Sequence, residues 1–281
     1  MPKAEMLSKL LAKAAHQFLK AGFQTPELDA KLLLQHLTGY SSAEIISKAH
    51  DIISVEKSTE FADLVERRLT HEPIHRIMGY REFYGRQFLL SDETLIPRPD
   101  TETLVDEIIK LKPAKILEIG TGSGAIAISS AAELQKTEIL ATDISKDALE
   151  TASKNATSHG VDSRIEFLEA NLFKGVAGKF DLIVSNPPYI PSSEIKTLQK
   201  EVKSFDPLKA LDGGEDGLDF YRAIFESAAS FLAPKGKVCV EIGIGQEDDV
   251  SEIAVTNGYA NITVIKDLNQ INRVVVGTID T

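Results

Sequence analysis

Through the first seventy residues the apolar positions recur three and four places apart, the spacing of one face of a helix. Leu7, Leu10, Leu11, Ala14 and Phe18 make such a face, with Gly22 where the helix would stop. Thr25 as a cap, with Pro26 and Glu27 behind it, opens a second helix through Leu28, Leu32, Leu33 and Leu37 to Gly39. Ser41 and Glu44 have capping-box spacing for a short third helix, and Phe61, Leu64, Val65 and Leu69 share one side of a fourth running from Val55 to Leu69. These positions predict a small helical bundle. From Ile77 the pattern changes, and the runs Tyr80 to Tyr84 and Gln87 to Leu90 around Gly85-Arg86 predict a hairpin. The stiff stretch Leu95-Ile96-Pro97-Arg98-Pro99 follows, and Asp100 is then expected to cap a helix from Thr101 to about Lys110.

Beyond Pro113 short apolar runs alternate with helical stretches, the rhythm of a mostly parallel sheet with helices on both faces. Seven strands are expected: Lys115 to Ile119, Glu138 to Asp143, Arg164 to Leu168, Phe180 to Ser185, Gly236 to Glu241, Asn261 to Lys266 and Arg273 to Thr278. The last two are close enough in sequence to pair as an antiparallel hairpin at one edge. The expected organisation is a helical domain over 1–76, a hairpin and linker over 77–100, and an α/β domain over 101–281.

Composition narrows the function classes. Of 281 residues 43% are hydrophobic and 26% charged, which suits a globular chain with a full core. The net charge of −11 is uneven: residues 1–90 hold 12 Lys+Arg against 11 Asp+Glu, the remainder 19 against 31. An acidic body without a basic run lacks the footprint by which most nucleic-acid binders hold phosphates, which weighs against a DNA or RNA partner. Cys239 is the only cysteine and lies in the apolar run Val238-Cys239-Val240, so a packing role and a reducing, cytoplasmic setting are expected. Lysines interrupt the apolar residues of the N-terminal twenty, so neither a signal peptide nor a membrane span is expected there.

In sheets of this kind ligands bind outside the carboxyl ends of the strands, and four of those ends carry informative residues. The first runs from Glu118 into Gly120-Thr121-Gly122-Ser123-Gly124, a turn that can approach a ligand closely and opens a helix whose N–H groups are free. Glu118 could help hold a cationic amino-acid cofactor through that loop. The second ends in Asp143, placed to accept ribose hydroxyls, and the third leads to Asn171-Leu172-Phe173, suited to an adenine edge and face. The fourth ends in Asn186-Pro187-Pro188-Tyr189. Two prolines end the ladder and hold the backbone extended. Asn186 then presents an amide oxygen, and Pro187 a carbonyl that no local N–H can claim, to a small planar NH2 group, and Tyr189 offers a ring face. Gly120, Gly122 and Ala125 also fit a dinucleotide fingerprint, so a nicotinamide dehydrogenase competes on the loop alone. A hydride transfer has no use for an NH2 clamp, which favours methyl transfer.

Over nearly its whole length the sequence resembles the PrmC/HemK family of methyltransferases, which modify a glutamine side chain in peptide chain release factors. The resemblance rests on Arg81 to Gly85, the run Leu95-Ile96-Pro97-Arg98-Pro99-Asp100-Thr101-Glu102, Glu118 to Gly124, Asn186 to Tyr189 and Ala210 to Leu218. The Asn-Pro-Pro-Tyr stretch is shared with enzymes that methylate amino groups of adenine or guanine in DNA or RNA. The proline-rich run and the helical first domain are more particular to the glutamine enzymes.

The resemblance implies a class I methyltransferase fold, Rossmann-like, with S-adenosylmethionine as cofactor and S-adenosylhomocysteine as product. It also implies a helical domain that docks the release factor and, as acceptor, the glutamine of its Gly-Gly-Gln loop. Cofactor residues carry over onto Gly120, Thr121, Gly122, Ser123, Gly124, Asp143, Asn171, Leu172 and Asn186, and substrate residues onto Asn186, Pro187, Pro188 and Tyr189. Asn171 stands where the family commonly has aspartate. The family often has a glycine near Gln270 and an aspartate at Asn272.

Asn186 and Pro187 are the expected catalytic pair, since the acceptor stretch holds no His, Cys or Lys to deprotonate an amide. The alternatives are an amino methyltransferase acting on nucleic acid and an adaptor that binds cofactor without catalysis. Three further features have plain readings. The carboxylates of Asp212 to Gly217 lack EF-hand spacing, and a glycine-rich hinge or lid is expected there rather than a metal site. His71 and His75 are expected as a solvated pair, because a helix carrying both would have to cross Pro73. Arg98 would either contact substrate or tie the linker to the α/β body.

Overall fold

The computed structural model describes residues 4–279, which divide into two compact units. The first holds the chain up to Gly79 together with 200–205, and the second holds 80–199 and 206 onward.

In the first unit a two-residue strand β1 (Glu5–Met6) leads into α1 (Leu7–Lys20), α2 (Pro26–Thr38) and α3 (Ser42–Ser47); then come β2 (Ile52–Ile53), α4 (Val55–Leu69) and α5 (Ile74–Met78). The expected apolar faces of α1 and α4 meet, with Leu7, Leu10, Phe18, Phe61 and Val65 in one core, whereas α2 turns Leu33 and Leu34 into it and leaves Leu28 exposed. The capping box at Ser41 and Glu44 is present in both directions. Thr25 departs from its expected capping role, because its hydroxyl donates to Asp29 Oδ1 at 2.9 Å. Asp29 is in turn buried against Arg68, 2.8 Å away. His71 is not the expected solvated side chain. The chain turns there with φ +69°, and the ring stacks on Phe23 at 4.9 Å beside the Arg68 guanidinium.

The second unit opens with the hairpin β3 (Tyr80–Phe83) and β4 (Arg86–Leu89) and continues through α6 (Glu102–Leu111), β5 (Lys115–Ile119), α7 (Ala125–Glu133), β6 (Glu138–Asp143), α8 (Lys146–Ser158), β7 (Ile165–Glu169) and β8 (Phe180–Ser185). After α9 (Lys200–Phe205), which belongs to the first unit, come α10 (Asp219–Ala228), β9 (Leu232–Glu241), α11 (Glu247–Thr256), β10 (Tyr259–Lys266) and β11 (Asn272–Ile279). The seven-stranded sheet runs β10-β11-β9-β8-β5-β6-β7, parallel except at β11, with the expected β10–β11 hairpin at one edge.

Both faces of the sheet are covered, which is why its strands read as continuous apolar runs. Ile116, Leu182, Val184 and Cys239 face one core with α6 and α7; Leu117, Ile183, Val238 and Val240 face the other with α10 and α11. Burial pushes the Cys239 thiol pKa up, consistent with a packing role.

Several boundaries differ from the sequence pattern, β10 for instance beginning at Tyr259 rather than Asn261. β9 begins at Leu232 rather than Gly236, and its pairing with β8 skips register between Phe180 and Leu182 around Lys235, at φ +62°. β7 starts one residue later, because Asp162–Arg164 forms a 3-10 turn. Asp100 caps no helix: Pro99–Thr101 is a 3-10 turn, α6 starts at Glu102, and the Asp100 carboxylate pairs with Arg273 at 2.7 Å.

Among the described residues no helix is long and apolar enough to cross a membrane.

Candidate active site

β5, β6 and β8 are parallel neighbours, so their carboxyl ends open on the same side, and β5 is the strand from which the order departs in both directions. A crevice is expected at such a switch point. A cavity of about 730 Å³ lies there, lined by residues of the second unit.

The glycine turn after β5 forms its floor. Gly120, Gly122 and Gly124 take φ of +75°, +55° and +82°, a region L side chains rarely adopt. A Cβ on Gly124 would also lie 2.7 Å from Ile128 Cδ1 and 3.1 Å from Ala152 Cβ, so this glycine lets α7 start against α8. The turn is held from several sides. The Gly120 and Thr121 N–H groups donate to the Thr142 carbonyl at 2.8 and 2.9 Å. Gly122 N–H donates to Asp143 Oδ2 at 2.8 Å, and Asn155 Nδ2 donates to the Ser123 carbonyl at 2.8 Å.

Glu118 lies buried beneath this turn and does not line the cavity. Its Oε2 accepts from Thr121 Oγ1 at 2.8 Å, while Oε1 has no partner among the described residues. Burial raises its pKa to about 7, partly opposed by the bonds from Thr121 and the Ala127 N–H. A carboxyl whose folded pKa exceeds its unfolded value favours the fold at low pH and loses that contribution as pH rises through the folded pKa. Between the ordinary glutamate value of 4.5 and about 7 the loss is on the order of 3 kcal/mol. Asp143 and Glu241 are shifted in the same direction, and the lowered carboxylates such as Asp267 act below this window. The fall in melting temperature from pH 5 to pH 8 should therefore be smaller in Glu118→Gln than in the parent chain. Equal falls, followed by calorimetry, would exclude Glu118 as a source of the slope.

Asp143, at the end of β6, lines the cavity. Its oxygens accept from Gly122 N–H and Ser145 N–H, so it braces the glycine turn besides facing the ligand space. Asn171 and Leu172 line the same wall with Ile144. Leu172 sits at φ +52°, in a turn closed by Lys174 N–H to the Asn171 carbonyl.

The end of β8 supplies the remaining wall. Asn186, Pro187 and Pro188 line the cavity. Asn186 Nδ2 donates to Thr101 Oγ1 at 3.1 Å, and the buried Glu241 carboxylate ends the neighbouring strand. Among the described residues no donor bonds Asn186 Oδ1 or the Pro187 carbonyl. Two neighbouring residues of the cavity wall thus each carry an unclaimed acceptor.

Tyr189 does not line the cavity; its ring packs against the α10–α11 core and over Gly243, and burial pushes its pKa up to about 12. Its carbonyl accepts from Gln246 Nε2 at 3.0 Å. The loop from Asp212 to Gly217 packs directly on this stretch: a Cβ on Gly217 would meet the Tyr189 carbonyl oxygen at 2.4 Å. Asp212 accepts from Ser192 Oγ at 2.6 Å, and Asp216 pairs with Arg222. Arg98 pairs with the buried Asp206 at 2.6 Å and also lines the cavity, so the structure shows the tie without removing the substrate contact. Among the described residues no cluster of three or more His, Cys, Asp or Glu could hold a metal.

Thr101, Glu241 and Gln246 escaped the sequence reading. A signal existed for Glu241, which ends the apolar run of β9 as Glu118 ends that of β5.

Comparison with known proteins decides between the readings that the glycine turn leaves open. Residues 9–79 match the family described as the PrmC N-terminal domain, and residues 99–203 match the methyltransferase small domain. A release factor glutamine methyltransferase of Agrobacterium fabrum (strain C58) is 44% identical over 276 residues, covering 95% of this chain and 96% of that protein. The chain belongs to the release factor glutamine methyltransferase family. A bifunctional methyltransferase of Rickettsia typhi is 40% identical over 96% of this chain, and the chain spans 56% of that relative's length. The catalytic domain of hMettl16, solved with a 3′UTR hairpin, is 14% identical with a TM-score of 0.57, covering 80% of this chain and 82% of that one. At that identity the likeness is one of fold. The family's fold is the class I methyltransferase fold, as the resemblance implies.

Proposed function

We infer that this chain transfers a methyl group from S-adenosylmethionine to the side-chain amide nitrogen of the glutamine in the Gly-Gly-Gln loop of peptide chain release factors. The observation that carries the reading is the pair of open acceptors, Asn186 Oδ1 and the Pro187 carbonyl, at the wall of a cavity floored by the glycine turn. The relatives' name, release factor glutamine methyltransferase, supports the substrate.

The residues present fit the cofactor. A turn with three left-handed glycines, a carboxylate at the end of β6, and Asn171 with Leu172 beyond β7 offer a close backbone approach, a ribose acceptor and an adenine contact. When bound, S-adenosylmethionine supplies an electrophilic methyl group on a sulfonium. This chain's part is positioning. A glutamine amide nitrogen is a poor nucleophile, because its lone pair is delocalised into the carbonyl. With one N–H accepted by Asn186 Oδ1 and the other by Pro187, the lone-pair face is aimed into the cavity. Both acceptors favour positive charge developing on that nitrogen. No His, Cys or Lys lies within 185–190, so the extra proton leaves to water after transfer.

The test is transfer of labelled methyl from S-adenosylmethionine to a purified release factor, beside its variant with alanine for the loop glutamine, and beside DNA and ribosomal RNA. Label on the intact factor alone is expected. Label on nucleic acid would overturn the substrate, and label nowhere would overturn the activity.

A further inference from the structure

We propose that Gln246 is a positioning residue for the acceptor clamp: its side-chain amide fixes the path of the chain through Asn186-Pro187-Pro188-Tyr189, and with it the place of the Pro187 carbonyl. The proposal rests on the reading of that stretch as the clamp for the glutamine amide.

The stretch needs a hold from outside. Ser185 is the last residue of β8 in the ladder, and Pro187 and Pro188 beyond it have no N–H to anchor them. Gln246 supplies a hold at the far end, where its Nε2 donates to the Tyr189 carbonyl at 3.0 Å. Nε2 also faces the Gly217 carbonyl at 3.4 Å, and Oε1 accepts from the Gly243 N–H at 2.9 Å. One amide thereby joins three chain segments: the acceptor stretch after β8, the glycine-rich loop before α10 and the turn after β9. The held carbonyl is two residues from that of Pro187. Both prolines have fixed φ, and Pro187 is further restricted by preceding a proline, so a shift at Tyr189 carries back to the clamp with little to absorb it.

The orientation of the amide follows from its partners. The two closest are backbone groups of fixed polarity, a carbonyl that accepts and an N–H that donates. Turned over by 180°, the amide would set oxygen against oxygen at Tyr189 and N–H against N–H at Gly243, losing both bonds together. The joined segments also leave no room for added side chains. A Cβ on Gly243 would lie 2.7 Å from Gln246 Oε1 and 3.1 Å from Tyr189 Cδ2, and one on Gly213 would lie 2.8 Å from Tyr189 Cα. Tyr221, fully buried, closes the joint by donating its hydroxyl to the Glu241 carbonyl at 3.0 Å, 3.4 Å from Gln246 Oε1.

Helix α11 has no need of this residue. Gln246 stands at its N-cap, where Ser, Thr, Asp and Asn are the stabilising choices, and its side chain makes no capping bond. The side chain reaches instead to the loops around the acceptor.

The experiment uses the full chain with a purified release factor and measures kcat, KM for the factor, and S-adenosylhomocysteine affinity by calorimetry. Gln246→Met keeps the volume and removes both the donor and the acceptor. Gln246→Ser gives α11 a good capping residue that is too short to reach Tyr189. Each should lose roughly 10- to 100-fold in kcat, as misplacement of a positioned group does, with KM and cofactor affinity within about twofold. Parent-like kcat in either variant would overturn the proposal. So would a loss carried by KM or by cofactor affinity, the mark of a domain loosened as a whole. If one variant does not fold, the other decides alone. Asn186→Ala separates the two levels: near-normal turnover there sinks the clamp reading itself, whereas a slow Asn186→Ala beside parent-like Gln246 variants sinks only this proposal.

Discussion

Replacing Asn186 with alanine is expected to lower kcat by roughly 100-fold or more, the usual cost of removing one hydrogen bond made to charge that develops in a transition state. The cofactor affinity should move by no more than a few-fold, because the floor of the cavity is braced independently through Thr142, Asp143 and Asn155. KM for the release factor should also change little, since one amide bond is a small part of a protein contact. The pattern matters more than the size. A loss shared equally between kcat and binding would describe a damaged wall, whereas a loss confined to kcat describes an acceptor used as the nitrogen becomes positive. Alanine also abandons Thr101, which then lies buried without the donor it had. A melting temperature close to that of the parent chain is therefore a necessary control. Near-normal turnover in single-turnover kinetics would remove Asn186 from the catalytic pair.

The acceptor was legible in the sequence for a local reason. Two consecutive prolines end a ladder whatever surrounds them, and the carbonyl they leave open does not depend on tertiary context. The helix periods and the β10–β11 hairpin were legible for the same kind of reason, since each follows from spacing within one element. What the sequence does not display is where a side chain finds its partner. Asp100 reads as a cap from its neighbours, yet Arg273 takes it, more than 170 positions away. Thr101 looks like an ordinary first-turn residue until β8 brings Asn186 to it. Tyr189 was expected to offer a ring face to the substrate, and its ring instead packs over Gly243, because Gln246 holds its carbonyl from α11's entry turn. Gln270 shows the reverse case. Where the family often has glycine, this chain keeps a glutamine at φ +65°, and the turn is secured by Asp267, which accepts from the N–H groups of Asn269 and Ile271. Asn272, where the family often has aspartate, opens β11 opposite Lys266.

The second large effect belongs to Asp143. Asp143→Ala should weaken binding of S-adenosylhomocysteine by about 2–3 kcal/mol, roughly 30- to 150-fold in Kd, the range for a hydrogen bond to a charged group lost from a buried site. Two routes lead to that number. The carboxylate can accept a ribose hydroxyl directly, or it can act only through the glycine turn, whose Gly122 N–H it holds at 2.8 Å. Its second bond, from Ser145 N–H, ties the same carboxylate to the start of α8, so alanine would loosen the turn and the helix entry together. Affinity for one ligand cannot distinguish these routes, but a cycle with a modified ligand can. In the parent chain a 2′-deoxy analogue should bind about tenfold more weakly than S-adenosylhomocysteine, as expected for one lost hydrogen bond of about 1.4 kcal/mol. If Asp143 meets the ribose, Asp143→Ala should bind both ligands almost equally, because the partner of the missing hydroxyl is gone. If Asp143 only braces the turn, both affinities should fall in parallel and the tenfold preference should persist. A preserved preference measured by calorimetry would withdraw the ribose assignment while leaving Asp143 as the brace that the geometry already makes it.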